Sequence, residues 1–202
     1  MYRMLYSKEG SGGTMKQEFY DALMENPVIA AVKDDAGVNA CIQKEDIRVV
    51  FVLYGEIVTI ADIVERLKAA GKFVVVHLDL IGGLAVREEA VKFVKSYTKA
   101  DGVISTKPDM IKCAKELGLC TVFRIFVIDS KALGSMSHHG TDFVDLVEVL
   151  PGIMPRIIRQ ISQKTSVPII AGGLISEKGD VIQALDAGAV AISTTNQSVW
   201  EM

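Results

Sequence analysis

The chain has 202 residues, half of them hydrophobic and only 6% aromatic, with a formal net charge of −3. That length builds one sizeable core in a small single domain, and without an apolar run of about 18 residues no membrane helix is expected. The acidic balance removes any overall electrostatic case for nucleic-acid binding, and the lack of a signal-peptide pattern predicts a cytoplasmic protein.

Residues 1–14 carry Gly10-Ser11-Gly12-Gly13, which is flexible-linker chemistry, and are expected to be a tail or a cloning remnant ahead of a domain over 15–202. A short helix is predicted over 16–25, closing one end of that domain. Apolar runs then alternate with helical patterns. Strands are predicted over 28–32, 49–53, 73–78, 102–105, 120–128, 143–149, 168–171 and 189–192. Between them fall helices over 36–43, 60–70 and 87–98, one opened by Pro108, one around 130–137, one from Pro155 to 164, and one over 176–187. Parallel neighbours need crossover connections, so strict alternation implies a parallel sheet. Eight such units make an α/β fold, a small (β/α)8 TIM barrel, with an open doubly wound sheet as the alternative. Cys41, Cys113 and Cys120 show no metal spacing and read as reduced packing residues.

A TIM barrel presents ligands with the C-terminal ends of its strands. Two of those ends stand out in the run 168–196. Strand seven enters Gly172-Gly173, and strand eight ends in Ser193-Thr194-Thr195-Asn196. Glycines let backbone N–H groups approach an anion, and hydroxyls add donors. Gly172, Gly173, Ser193, Thr194 and Asn196 are therefore the candidate phosphate cradle. Lys33, Lys107 and Arg124 are cations at or near strand ends. Arg124 sits inside the apolar run TVFRIFVID, where an unpaired charge is costly, so it faces a ligand or pairs with Asp79 or Glu148. His77 and Asp79 lie two apart on one strand face, as an acid/base pair or a satisfied core pair. His138-His139 read as a solvated loop, and three scattered histidines make no metal triad, so no metal or cofactor is expected.

Several strand ends, taken together, carry a resemblance. VVHLDLIGGL (75–84), DGVISTK (101–107), RIFVIDSKAL (124–133), EVLPGIMPRII (148–158), IIAGGLI (169–175) and AISTTNQSVW (191–200) resemble the glycerol uptake operon antiterminator regulatory family. The resemblance covers residues 26–200, and EVLPG followed by AGGLI is its most specific part. It implies a barrel that responds to glycerol 3-phosphate and binds the leader mRNA of a glycerol catabolic operon, letting transcription pass a terminator. Matched residue by residue, Gly172, Gly173, Ser193, Thr194 and Asn196 hold the phosphate with Arg124 or Lys107 as cation, and Asp79, Glu148 and Lys33 are candidate hydroxyl partners. Gly82 departs from the family pattern, which often carries a longer polar residue there.

For RNA, Lys92, Lys95 and Lys99 share one helix face, and Lys112 and Lys115 lie on the next helix; with Lys107 they form a candidate basic strip. The bland reading of that strip is a solvated outer face. No aromatic platform or RNA-binding module accompanies it. Two other functions compete with antitermination. One is an enzyme acting on a small phosphorylated metabolite, of isomerase or aldolase type. The other is a barrel that only binds a metabolite or serves as a scaffold. Self-association into a homo-oligomer is compatible with the sequence.

Overall fold

The computed structural model of the protein describes residues 11–129 and 143–202, with side chains from residue 17 onward. The helix expected around 130–137 and the pair His138-His139 lie outside the described residues. The elements run α1 (Ser11–Glu25), β1 (Val28–Val32), α2 (Asp35–Ile42), β2 (Val49–Val52), α3 (Ile60–Ala69), β3 (Phe73–His77), α4 (Glu88–Tyr97), β4 (Gly102–Ser105), α5 (Pro108–Glu116), β5 (Cys120–Phe126), β6 (Leu146–Leu150), α6 (Pro155–Ser162), β7 (Ile169–Gly172), α7 (Lys178–Asp186) and β8 (Ala191–Thr194). A 3-10 turn, Leu78–Leu80, follows β3, and another, Val199–Glu201, follows β8.

The strands pair in chain order and close into a barrel. Closure is the parallel pairing of β1 with β8, in the register Val28↔Ile192, Ile29↔Ser193 and Ala30↔Thr194. Each strand is buried on both faces, which is why it reads as a run of Val and Ile rather than as an alternation. Alternate residues supply two cores. Val28, Ala30, Val32, Val50, Val52, Val74 and Val76 face the helices. Ile29, Ala31, Val49, Phe51, Phe73, Val75, Ile104, Cys120, Val122, Leu146, Ile170 and Ala191 fill the lumen. The helices answer with one apolar stripe each, such as Ile60, Ile63, Val64 and Leu67 of α3.

Helix α1 closes the N-terminal end of the lumen. It begins at Ser11 rather than at residue 16, because a helix anchored by packing propagates at little further cost. The anchor is Phe19, Ala22 and Leu23, which join the lumen core, with Phe19 stacked on Phe73 at 4.6 Å between ring centroids. Polar groups brace this end. Buried Asp145 accepts from Thr121 N (3.1 Å), Thr121 Oγ1 (3.0 Å) and Lys115 Nζ (2.6 Å). Lys72 Nζ donates to the carbonyls of Lys44 (2.5 Å) and Ile47 (2.8 Å).

The strand boundaries near the ligand end differ from the sequence expectation. β7 and β8 end at Gly172 and Thr194 rather than at residues 171 and 192. Ser193 and Thr194 are polar, and an apolar run therefore ends before them. Barrel closure makes them strand residues all the same, since β1 pairs with both. Among the described residues no helix is long and apolar enough to cross a membrane.

Candidate functional site at the C-terminal mouth of the barrel

The lumen changes character near its C-terminal end. His77, Arg124, Glu148, Gly172 and Ser193 continue the inward-facing positions of β3, β5, β6, β7 and β8, above the apolar residues Val75, Val122, Leu146, Ile170 and Ala191. All four side chains are buried, Glu148 completely. Arg124 Nε donates to Glu148 Oε2 at 2.6 Å, and Ser193 Oγ donates to Glu148 Oε1. The carboxylate thus ties β5, β6 and β8 together across the lumen. A Cβ at position 172 would lie 2.5 Å from Glu148 Oε1 and 2.7 Å from Ser193 Oγ. Only glycine leaves space for that bridge.

Of the two pairings open to Arg124, the structure selects Glu148. Asp79 is taken elsewhere: it accepts from Ser105 Oγ (2.6 Å), Thr106 N (2.8 Å) and Thr106 Oγ1 (2.7 Å). Burial pushes the Asp79 carboxyl up, but these donors and His77 outweigh it, and the group stays below its ordinary value. His77 and Asp79 form no hydrogen bond with each other; His77 Nδ1 is buried with no hydrogen-bond partner among the described residues. Burial, then the positive charge of Arg124, drives the imidazole down to about 4, so it is neutral near pH 7.

The loop after β7 is shaped for close approach. Gly173 has φ +76° and Leu174 φ +63°. Two left-handed residues in a row turn the backbone sharply, and the second is a leucine, which adopts this conformation only at a cost in strain. Gly152, just beyond β6, lets its own backbone pack on this loop, since a Cβ there would meet Gly172 N at 2.9 Å. Two of the candidate phosphate donors hold this loop in the structure. Thr194 Oγ1 donates to the Ile175 carbonyl (2.7 Å), and Asn196 Nδ2 donates to the Ser176 carbonyl (3.0 Å). Asp180 accepts from Ser176 N (2.9 Å) and Glu177 N (3.2 Å) within a capping box. The N-terminus of α7 is therefore satisfied by its own carboxylates.

The sequence-predicted cations separate. Lys33 directly follows β1, whose neighbour is β8, and is exposed. Lys107 is exposed at the N-cap of α5, its backbone N–H donating to Ser105 Oγ (3.1 Å). Arg124 lies inside the lumen. On the outer face, Lys92 pairs with Glu88 (3.7 Å), Lys99 with Glu65 (2.8 Å) and Lys115 with Asp145 (2.6 Å); Lys95 and Lys112 are exposed. Two contributors had weak sequence signals. Gly152 is visible only as a Pro-Gly pair after strand six, and Asp180 only as an acid three residues into a helix. A further cleft, at the opposite end of the barrel, is lined by Glu25, Glu45 and Asp46 with Arg48 and suits no anion. Among the described residues no cluster of His, Cys, Asp and Glu is arranged to hold a metal.

This mouth can be set beside proteins of similar sequence and shape. A family model described as glycerol-3-phosphate responsive antiterminator matches residues 28–200. The chain is 42% identical over 186 residues to YgcP of Escherichia coli K12, an uncharacterized protein, covering 89% of this chain and 94% of that one. Its fold matches the crystal structure of the glycerol uptake operon antiterminator regulatory protein of Listeria monocytogenes with a TM-score of 0.83 at 31% identity, covering 87% of this chain and 95% of that one. It also matches a glycerol uptake operon antiterminator-related protein of Thermotoga maritima, with a TM-score of 0.76 at 35% identity, covering 87% and 98%. The chain belongs to the glycerol-3-phosphate responsive antiterminator family.

Proposed function

We propose that this chain binds glycerol 3-phosphate at the C-terminal mouth of its barrel and, with that ligand bound, holds the leader mRNA of a glycerol catabolic operon in the cytoplasm so that transcription passes a terminator. One observation carries the ligand half. A polar layer of His77, Arg124, Glu148 and Ser193 tops an otherwise apolar lumen, beside a tightly turned Gly172-Gly173 loop. Stability does not call for such a layer, because buried ion pairs are seldom better than apolar packing. Loops after strands seven and eight are where TIM barrels commonly take phosphate.

In this reading Gly172 and Gly173 bring backbone close to the phosphate, while Thr194 and Asn196 hold the loop in shape and Ser193 anchors Glu148. Arg124 is the cation of the lumen layer, Lys33 and Lys107 are exposed cations at strand ends, and Asp79 stiffens the β4 end. The RNA half is supported by family membership. Lys95 and Lys112, which make no ion pair among the described residues, are its candidate phosphate contacts on the outer face, and Lys92, Lys99 and Lys115 flank them.

Filter binding of a labelled leader transcript, with and without glycerol 3-phosphate, tests the whole. Retention should appear only with the ligand and weaken as salt rises. Ligand-independent retention, or none at low and moderate salt, refutes the RNA half. Calorimetry with glycerol 3-phosphate alone decides the ligand half.

A further inference from the structure

The charges of the lumen layer cancel. Glu148 gives one carboxylate oxygen to Arg124 and the other to Ser193, and the ion pair is deeply buried, with side-chain exposures of 8% for Arg124 and 1% for Glu148. A guanidinium carries five N–H donors. Glu148 takes the one on Nε, and the Nη groups make no hydrogen bond among the described residues. Beside them, His77 offers Nδ1, also without a partner, on a ring that is neutral near pH 7. The layer therefore presents hydrogen-bonding groups with no net positive charge. A hydroxyl can accept from Arg124 and meet the imidazole. A carboxylate or a phosphate at the same level would be a second buried anion beside Glu148, with the charge of Arg124 already matched, and burying an uncompensated charge is costly.

The rim is different. Lys33 follows β1, and the register Ile29↔Ser193 and Ala30↔Thr194 carries it to the segment just past β8. It is exposed, and among the described residues it makes no ion pair. It is an uncompensated cation on the β1 side of the β8 loop, while Lys178, exposed at the start of α7, lies on the far side of the β7 loop.

We propose that the ligand binds with a fixed polarity: its phosphate stays at the rim over β7, β8 and β1 with Lys33 as counter-charge, and its hydroxyl-bearing end enters the lumen against Arg124 and His77, so that the Arg124–Glu148 pair selects monophosphates with a neutral tail and rejects those with a second anionic end. Lys33 thereby takes the counter-charge role that the family resemblance implies for Arg124 or Lys107. The inference rests on the phosphate-ligand reading above.

Calorimetry on the full chain with three probes tests it: inorganic phosphate, glycerol 3-phosphate, and 3-phosphoglycerate, in which a carboxylate replaces the terminal hydroxymethyl group. Wild type should prefer glycerol 3-phosphate over 3-phosphoglycerate by at least about 30-fold, the scale of an unpaired buried charge even after partial hydration. Glu148→Gln frees the charge of Arg124 without changing the shape of the side chain, and should shrink that ratio about tenfold or more. Lys33→Gln should weaken phosphate and glycerol 3-phosphate by the same factor and leave the ratio unchanged. A wild-type ratio within about threefold overturns the proposal. So does an unchanged ratio in folded Glu148→Gln, or a Lys33→Gln that spares phosphate. If Glu148→Gln fails to fold, the wild-type ratio and the Lys33→Gln arm still decide. Wild type that binds none of the three probes overturns the phosphate-ligand reading itself, which is a separate outcome.

Discussion

Gly172→Ala is the sharpest perturbation of the mouth, because the added atom has nowhere to go. Its Cβ would fall 2.5 Å from Glu148 Oε1, 2.7 Å from Ser193 Oγ and 3.1 Å from Glu148 Cδ. None of these can swing away as a free side-chain end, since Glu148 is held by Arg124 on one oxygen and by Ser193 on the other. To admit the methyl group, Glu148 must leave Ser193 and tilt from Arg124. Removing one partner of a buried ion pair costs about 3–5 kcal/mol, and losing one hydrogen bond to a charged group about 1.5–3 kcal/mol. Displacement without deletion falls between, at about 2–4 kcal/mol. For a domain of this size that lowers the melting temperature by roughly 4–16 °C. Thermal and urea unfolding followed by circular dichroism measure the loss, and calorimetry with glycerol 3-phosphate should show weakened binding in the same variant. Gly37→Ala is the control: its Cβ would meet Asp34 Oδ1 at 3.4 Å and Val32 Cβ at 3.5 Å, ordinary contacts within α2, and should be neutral or stabilising by a few tenths of a kcal/mol to about 1 kcal/mol. A Gly172→Ala protein that melts with wild type and binds glycerol 3-phosphate equally well would falsify the bridged layer as the organiser of the mouth.

Three other outcomes are expected. Gly173→Val puts a β-branched residue at φ +76° with Leu150 Cδ2 at 3.2 Å from the new Cβ, and should abolish inorganic phosphate binding; unchanged phosphate affinity refutes the placement of the cradle. His77 is held near 4 against an ordinary 6.5. The folded protein resists protonation there, so stability is unaffected above pH 6.5 and falls as pH drops from 6.5 to 4, by at most about 3 kcal/mol. Melting at pH 7.5 and 4.5 should show a larger drop for wild type than for His77→Phe, and equal drops would remove His77 as the cause. Phe19→Ala opens the plug beneath the lumen, where Phe19 is fully buried on Phe73, and should cost about 3–5 kcal/mol in urea unfolding; a loss under about 1 kcal/mol would mean that α1 does not close the barrel.

Much of this architecture is legible from residue order. Runs such as VIAAV and FVVVH announce buried strands because a parallel strand is covered on both faces, and Pro108 and Pro155 mark helix starts because proline needs no N–H partner there. The proposed cradle is legible as a place, the strand ends of β7 and β8, but its hydrogen bonds are not. The sequence offers Thr194, Asn196 and Ser193 as donors to a ligand, and in the structure each donates to the protein itself. A hydroxyl or amide at a strand end serves a ligand or a loop with the same chemistry, and only the distances tell which.

The order of residues by itself determined that eight apolar runs alternate with eight helical patterns, hence the parallel barrel, and that polar residues gather at the C-terminal strand ends, since hydrophobic periodicity and chain punctuation are local properties. Tertiary structure alone decided that Arg124 pairs with Glu148 and not with Asp79, that Gly172 is glycine to leave room for that carboxylate, that His77 Nδ1 is buried without a partner among the described residues, and that Lys33 follows the strand paired with β8. Those facts depend on closure, which brings β1 against β8 across more than 160 residues of chain, and on the alternation that turns a few polar residues inward to one level of the lumen. Charge compensation and close approach are properties of distance, and distance between remote residues is set by the closed sheet.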